Sequence, residues 1–202
     1  MRWTAPDEGR HDAAPGTESW GFEFAGPRVT GCIRLTLDVA HGRAGFVADL
    51  LLGGAGRIVV ADESVALPRP QAGLEIRADG LWASLYCETA FEHWSMGLEA
   101  FGLRLDDQDD QDDPAGDMHA RAGASWESLV GERIPVGFDL EWELRRPPEP
   151  LADGAGYAQP GVLFGEILVV RDRVEIEVPA VRDHWWGGAP GVRNAQTGLP
   201  DA

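Results

Sequence analysis

The stretch GFDLEWELR, Gly137 to Arg145, alternates apolar and polar residues without a break. Phe138, Leu140, Trp142 and Leu144 fall on one side of an extended chain, and Asp139, Glu141, Glu143 and Arg145 on the other. A period of two is the mark of a strand with one wet face. The pattern recurs in ESWGFEF, where Trp20, Phe22 and Phe24 share a face, then at Ile33, Leu35 and Leu37, and again at Val174, Ile176 and Val178. Further strand-like runs are GFVADLLL, GRIVVAD, GLEIRAD, LWASLYC, FEHWSMGLEAFGLRL and GVLFGEILVV, punctuated by Gly, Pro and Asp. About ten antiparallel strands result, which predicts an all-β fold, a closed barrel or a curled sandwich. Helix is nearly absent; only ASWESLVGE, with Ser125 or Ser128 as a cap, predicts a short one.

The chain of 202 residues shows no internal repeat and is long enough for one good core, so a single domain over 1–202 is expected. Its outlying parts are a polar N-terminal arm over 1–17, an acidic loop over 106–117 and a flexible tail over 188–202. The 34 acidic residues against 17 basic ones leave a net charge of −17, which opposes phosphate backbones and anionic lipid surfaces. Nucleic acid and membrane are therefore not expected as partners. Every basic residue is Arg, so no lysine is present to form a Schiff base, serve a phosphate loop or act as a general base. The N-terminus MRWTAPDEGRHD has no apolar targeting core and no long apolar run follows, so a cytoplasmic location is expected. Cys32 and Cys87 lie far apart without metal-ligand spacing and read as small buried hydrophobes. The loop DDQDDQDDPAGD carries seven Asp but lacks the ligand order of a calcium-binding hand, and reads as a solvated hairpin loop. RRPPEPLADGAG, Arg145 to Gly156, reads as a second loop stiffened by prolines.

Five histidines are the main chemical candidates. His11 in the polar arm and His119 after the acidic loop are expected to be solvent-exposed and inert, and His41 in AHGRAG to be a turn residue. His93 shares a strand face with Phe91, Ser95, Glu99 and Phe101, opposite Trp94, Met96, Leu98 and Ala100. Facing inward, His93, Glu99 and Phe101 would line a ligand cavity together with Trp20 and Trp142; facing outward, His93 would be an ordinary surface or core histidine. In VRDHWWGG, Asp183 and His184 alternate faces, while His184 and Trp186 share one. An imidazole beside an indole places a proton donor next to a π-face able to stabilise a developing cation, a pairing suited to alkene protonation, isomerisation or cyclisation. A structural reading is equally open, in which Arg182 pairs with Asp183 and the tryptophans close one end of the barrel.

ESWGFEF near the start and YAQPGVLFGEILVVRDRVEIEVPAVRDHWWG near the end resemble the AttH-like, carotenoid-hydratase-like family of lipocalin type. In that family a Tyr-x-Gln, a nearby Gly, a strand pair and a DHxWG signature follow in this order. The matching positions are Tyr157, Gln159, Gly165, Asp183, His184, Trp186 and Gly187. The resemblance implies a lipocalin-like β-barrel for an apolar small molecule of terpenoid, steroid or polyketide type, with the signature His and Trp lining the pocket. Trp185 stands where the family usually has Ser or Asn. Family enzymes commonly have two such halves with further catalytic groups in the second, so carotenoid hydration itself does not carry over.

Two function classes follow. One is an enzyme without cofactor, of isomerase, cyclase or hydratase type, with His184 as proton donor and Trp186 and Tyr157 shaping or stabilising the cation. The other is a carrier or sensor that binds the same kind of ligand without turnover. No HxH or HExxH occurs and the histidines lack helical or strand pairing, so no metal ligand set is expected. A homodimer is left open.

Overall fold

Among the described residues, period-two alternation carries through as the eleven strands of one antiparallel sheet. The computed structural model describes residues 3–11, 16–69, 73–105, 129–151 and 156–188. The first six strands are β1 Thr17–Gly26, β2 Val29–Asp38, β3 Arg43–Leu52, β4 Gly56–Ala66, β5 Leu74–Ala78 and β6 Leu81–Thr89. They are followed by β7 His93–Leu105, β8 Gly131–Leu144, β9 Glu149–Pro150, β10 Gly156–Val169 and β11 Asp172–Gly188. Neighbours pair in the order β4, β3, β2, β1, β11, β10, β8, β7, and β4 meets β7 again through Ile58 opposite Arg104 and Val59 opposite Leu103. The sheet thus rings round on itself, which removes most free edges. On the edge away from β8, β7 serves two partners, with His93 to Ala100 along β6 and its far end along β4, so β6 and β5 branch off the ring.

Alternation decides what fills the ring. Phe22, Phe24, Ile33, Leu35, Phe46, Trp94, Leu140 and Trp142 are all buried in one continuous core. Each such side chain contributes roughly 1.5–3 kcal/mol on leaving water. Gly161 leaves room for this packing: a Cβ there would come within 2.3 Å of the Trp142 indole. The two described helical pieces are short 3-10 turns, Ala5–Glu8 and Val39–His41, and no helix among the described residues is long and apolar enough to cross a membrane.

The placement of β7 corrects the inward option for His93, Glu99 and Phe101. Trp94, Met96 and Leu98 point inward, Glu99 is exposed, Phe101 is 53% exposed, and His93 Nε2 meets Glu141 Oε2 at 2.8 Å on the outer face. The reason is area and solvation: the Trp-Met-Leu stripe buries more apolar surface, and the other orientation would desolvate an imidazole and a carboxylate. The short helix expected over ASWESLVGE is corrected at its end, because Gly131 and Glu132 open β8. Leu129 and Val130 before them are not helical, and residues 124–128, the acidic loop and His119 lie outside the described residues. So does the tail beyond Gly188. Within the proline-rich loop, Glu149 and Pro150 add a short rung to Ala158 and Tyr157. Cys32 and Cys87 are free, half-buried thiols. Burial pushes them up to about 12 and about 11, which keeps both protonated near neutral pH.

Inside and outside can be told apart by mutation. Trp142→Ala is expected to cost about 3–5 kcal/mol in denaturant unfolding. Phe101→Ala is expected to stay within about 0.5 kcal/mol, as surface changes do. Equal losses would contradict the facing described for β7 and β8.

Candidate functional site

At one end of the ring the registers of β1, β10 and β11 stack chemistry-bearing residues in rows. Trp20 and Tyr157 flank His184, Phe22 and Gln159 flank Arg182, and Glu18 lies opposite Trp186. Arg182, His184 and Trp186 share the inner face of β11 through the two-residue period, so the inner set includes the arginine as well as the histidine. Arg182 and Asp183 do not pair with each other, because they point to opposite sides of the sheet.

Arg182 is fully buried. Its guanidinium lies 5.1 Å from the Trp94 ring, 5.1 Å from Trp142 and 5.2 Å from Tyr157, a cage that satisfies the cation with π-faces. A charge there also needs an anion, and the N-terminal segment brings one. Thr4 and Pro6 set up the Ala5–Glu8 turn, with Asp7 accepting from the Thr4 N–H at 2.7 Å, and the turn aims Glu8 inward. Arg182 donates to both Glu8 oxygens, at 2.9 and 2.7 Å, and to Gln159 Oε1 at 2.9 Å. The Phe91 N–H donates to Glu8 Oε1 at 2.7 Å, and Gln159 Nε2 donates to the Phe91 carbonyl at 2.7 Å. Phe91 adopts φ 62°, a left-handed conformation costly for a bulky residue, and these two bonds hold the β6–β7 turn in it.

His184 is also fully buried. Its ring stacks on Trp20 at 4.6 Å, with Trp186 at 5.0 Å and Tyr157 edge-on at 5.7 Å. Nε2 lies 2.8 Å from Glu18 Oε1, and Nδ1 lies 3.4 Å from the Tyr157 hydroxyl. The same Glu18 oxygen meets His11 Nδ1 at 2.7 Å, and Glu18 Oε2 accepts the His11 backbone N–H at 2.9 Å. A carboxylate only accepts, so both facing ring nitrogens carry the hydrogen, which leaves His184 Nδ1 to accept from Tyr157. Burial holds His184 below the usual imidazole range and so favours the neutral ring. Burial alone would raise Glu18, but bonds from His184 and His11 outweigh it and hold the carboxyl below its usual range. Burial pushes the Tyr157 hydroxyl up, so it stays protonated. His11 is therefore no inert surface residue; it is 24% exposed and stacks on Trp186 at 4.1 Å, while Trp3 packs on Tyr157 at 4.9 Å. His41, as expected of a turn residue, is mostly exposed, with Nδ1 against Asp38.

On the outer face, Asp183 accepts from both Arg34 terminal nitrogens at 2.9 and 2.8 Å. Gly21 makes this possible, since a Cβ there would come within 2.3 Å of the guanidinium and 2.4 Å of Asp183 Oδ1.

Residues 4–200 match the family model described as a domain of unknown function, DUF7064. The chain belongs to the DUF7064 family. Searches of curated proteins and of solved structures found no match.

In this DUF7064 chain the fold brings together His184, Trp186, Tyr157 and Trp20, with Trp142 one layer deeper beneath Arg182. It does not bring His93, Glu99 and Phe101 to them. Glu99 and Phe101 instead line an outer-surface cleft of about 670 Å³ with Trp82, Pro135, Leu168 and Val170. Sequence reasoning missed Glu18, His11, Glu8, Arg182 and Trp3. Glu18 did leave a signal: it precedes Trp20, Phe22 and Phe24 on the same inward stripe, where a carboxylate is out of place. The expectation of no metal ligand set rested on local spacing, whereas His11 Nδ1 and Glu18 Oε1, seven residues apart, lie within 4.8 Å of each other and of His184 Nε2 from the distant β11.

The ion pair that ties the N-terminal segment down makes a direct test. Glu8→Gln leaves Arg182 charged and buried without its anion, and is expected to cost about 3–5 kcal/mol in denaturant unfolding. A loss under about 1 kcal/mol would place Glu8 elsewhere, since even an exposed ion pair contributes up to about that much.

Proposed function

We propose that the protein binds an unsaturated apolar small molecule, of terpenoid, steroid or polyketide type, where the Trp3–His11 segment crosses β1, β10 and β11, and transfers a proton to or from it. One observation carries this reading: a fully buried imidazole, His184, hydrogen-bonded to the Glu18 carboxylate and facing the Tyr157 hydroxyl, is walled by the rings of Trp20, Trp186 and Tyr157. A polar group so enclosed is costly for folding alone, which is the usual sign of a functional site. The indole faces suit a carbon skeleton on which positive charge develops, and the Tyr157–His184–Glu18 row supplies a path for a proton. The AttH-like resemblance of Tyr157, Gln159, Asp183, His184 and Trp186 supports the same class, with isomerisation, cyclisation or hydration as the chemistry. The deeper interior is filled by Trp94, Trp142 and Phe22, so a ligand of this size enters under the N-terminal segment and not through the centre of the ring.

Farnesol binding, followed by tryptophan fluorescence, tests the site. His184→Gln and Trp186→Ala are expected to weaken binding by about tenfold or more, the effect of one lost buried contact. Phe101→Ala is expected to leave it unchanged. The reverse pattern would move the ligand to the outer cleft. Deuterium entering bound farnesol in heavy water separates proton transfer from carriage alone; binding without exchange would make the protein a carrier or sensor.

A further inference from the structure

We propose that His11, Glu18 and His184 form a binding site for one divalent transition-metal ion, of zinc or cobalt type, with an open coordination position. The site shares His184 and Glu18 with the apolar-ligand reading but takes its donors from the ring nitrogens that face Glu18, and it is read out by the metal alone.

Three observations carry it. The donor atoms come from three segments, the N-terminal one, β1 and the distant β11, and lie within 4.8 Å of one another. Two imidazoles and one carboxylate are the donor types that zinc and its neighbours take at about 2.0–2.2 Å, and three protein ligands leave a fourth position for water or substrate. His11 Nδ1 and His184 Nε2 sit 2.7 and 2.8 Å from the same Glu18 oxygen, so both ring nitrogens already aim at one point. An ion there needs only a small retreat of the Glu18 side chain.

Charge points the same way. In this buried end of the ring the Glu8 carboxylate is matched by Arg182, which donates to both of its oxygens. Among the described residues, Glu18, 3% exposed, has as hydrogen-bond partners the backbone and ring of His11 and the ring of His184. A buried carboxylate is stabilised by a full positive charge, which a divalent ion supplies.

Proton bookkeeping closes without any other reactant. On metal binding each imidazole offers the nitrogen that faces Glu18 and carries its hydrogen on the other one. For His11 that nitrogen is Nε2. For His184 it is Nδ1, which then donates to the Tyr157 oxygen, already 3.4 Å away. Tyr157 thereby becomes the outer partner that orients a ligating histidine, and Arg182, 3.3 Å from the same oxygen, fixes it in turn. The stacking of His11 on Trp186 holds the exposed ligand in place.

Cobalt(II) titration of the full chain, stripped of metal by chelator, tests the site. Visible d–d absorption of a low-coordinate ion, saturating at one equivalent, and a raised melting temperature are expected. Glu18→Gln and His11→Ala should abolish the bands, Tyr157→Phe should weaken the affinity about tenfold or more, and His93→Ala, which removes only the outward pair with Glu141, should change nothing. Circular dichroism of each variant confirms folding; should Glu18→Gln unfold, His11→Ala, on a partly exposed side chain, decides. No band with the wild-type chain, or bands undiminished in His11→Ala, would overturn the site. Farnesol binding measured on the metal-free protein is a separate readout, so either proposal can fail alone.

Discussion

The ion pair between Arg182 and Glu8 joins the last strand of the sheet to the first turn of the chain. Arg182 belongs to the inner face of β11 by simple alternation, and an inward guanidinium is tolerable only where its charge is met. Three aromatic rings, Gln159 and both oxygens of Glu8 meet it. Because Glu8 must reach this point, residues 3–11 are laid across the open end of the ring, and Trp3 and His11 arrive with them. The candidate site is thus a consequence of charge matching. The bonds of His11 to Glu18 and its stacking on Trp186 then hold the far end of the segment in the same place.

A second constraint is the two-residue period at VRDHWW. Asp183 turns outward to Arg34, while Arg182, His184 and Trp186 turn inward, so one short run serves a structural bridge on one face and a polar hub on the other. Gly21 on the neighbouring strand makes the bridge possible by offering no side chain where Arg34 and Asp183 meet. Asp183 and His184 are therefore neighbours in sequence that do not touch: the acid bonds to Arg34 on one face and the imidazole lies among Trp20, Tyr157 and Trp186 on the other.

The apolar-ligand reading and the metal reading share His184 but use different nitrogens. Nδ1 faces Tyr157 among the aromatic rings, and Nε2 faces Glu18 and His11. An imidazole held on both sides in this way has its orientation and tautomer set by its neighbours, which is the condition for either proton transfer or ligation.

Strand content, the all-β ring and the inward stripes of β1, β2, β8 and β11 were legible in the sequence, because alternation is local and the side-chain period of a strand is fixed by its geometry. His184 and Trp186 could be placed on one face for the same reason. Which face of β7 lies inside was not legible, since both stripes carry aromatic residues and only the competition for buried area against β4 and β8 decides between Phe101 and Trp94. Nor could sequence spacing show that His11, from a polar arm, meets Glu18 and His184. That meeting depends on strand order, which sets β1 beside β11, and on the Arg182 charge, which pulls the first turn inward. Local periodicity determines how each strand divides its side chains. Long-range pairing and charge compensation decide which of those side chains meet, and only the tertiary structure contains them.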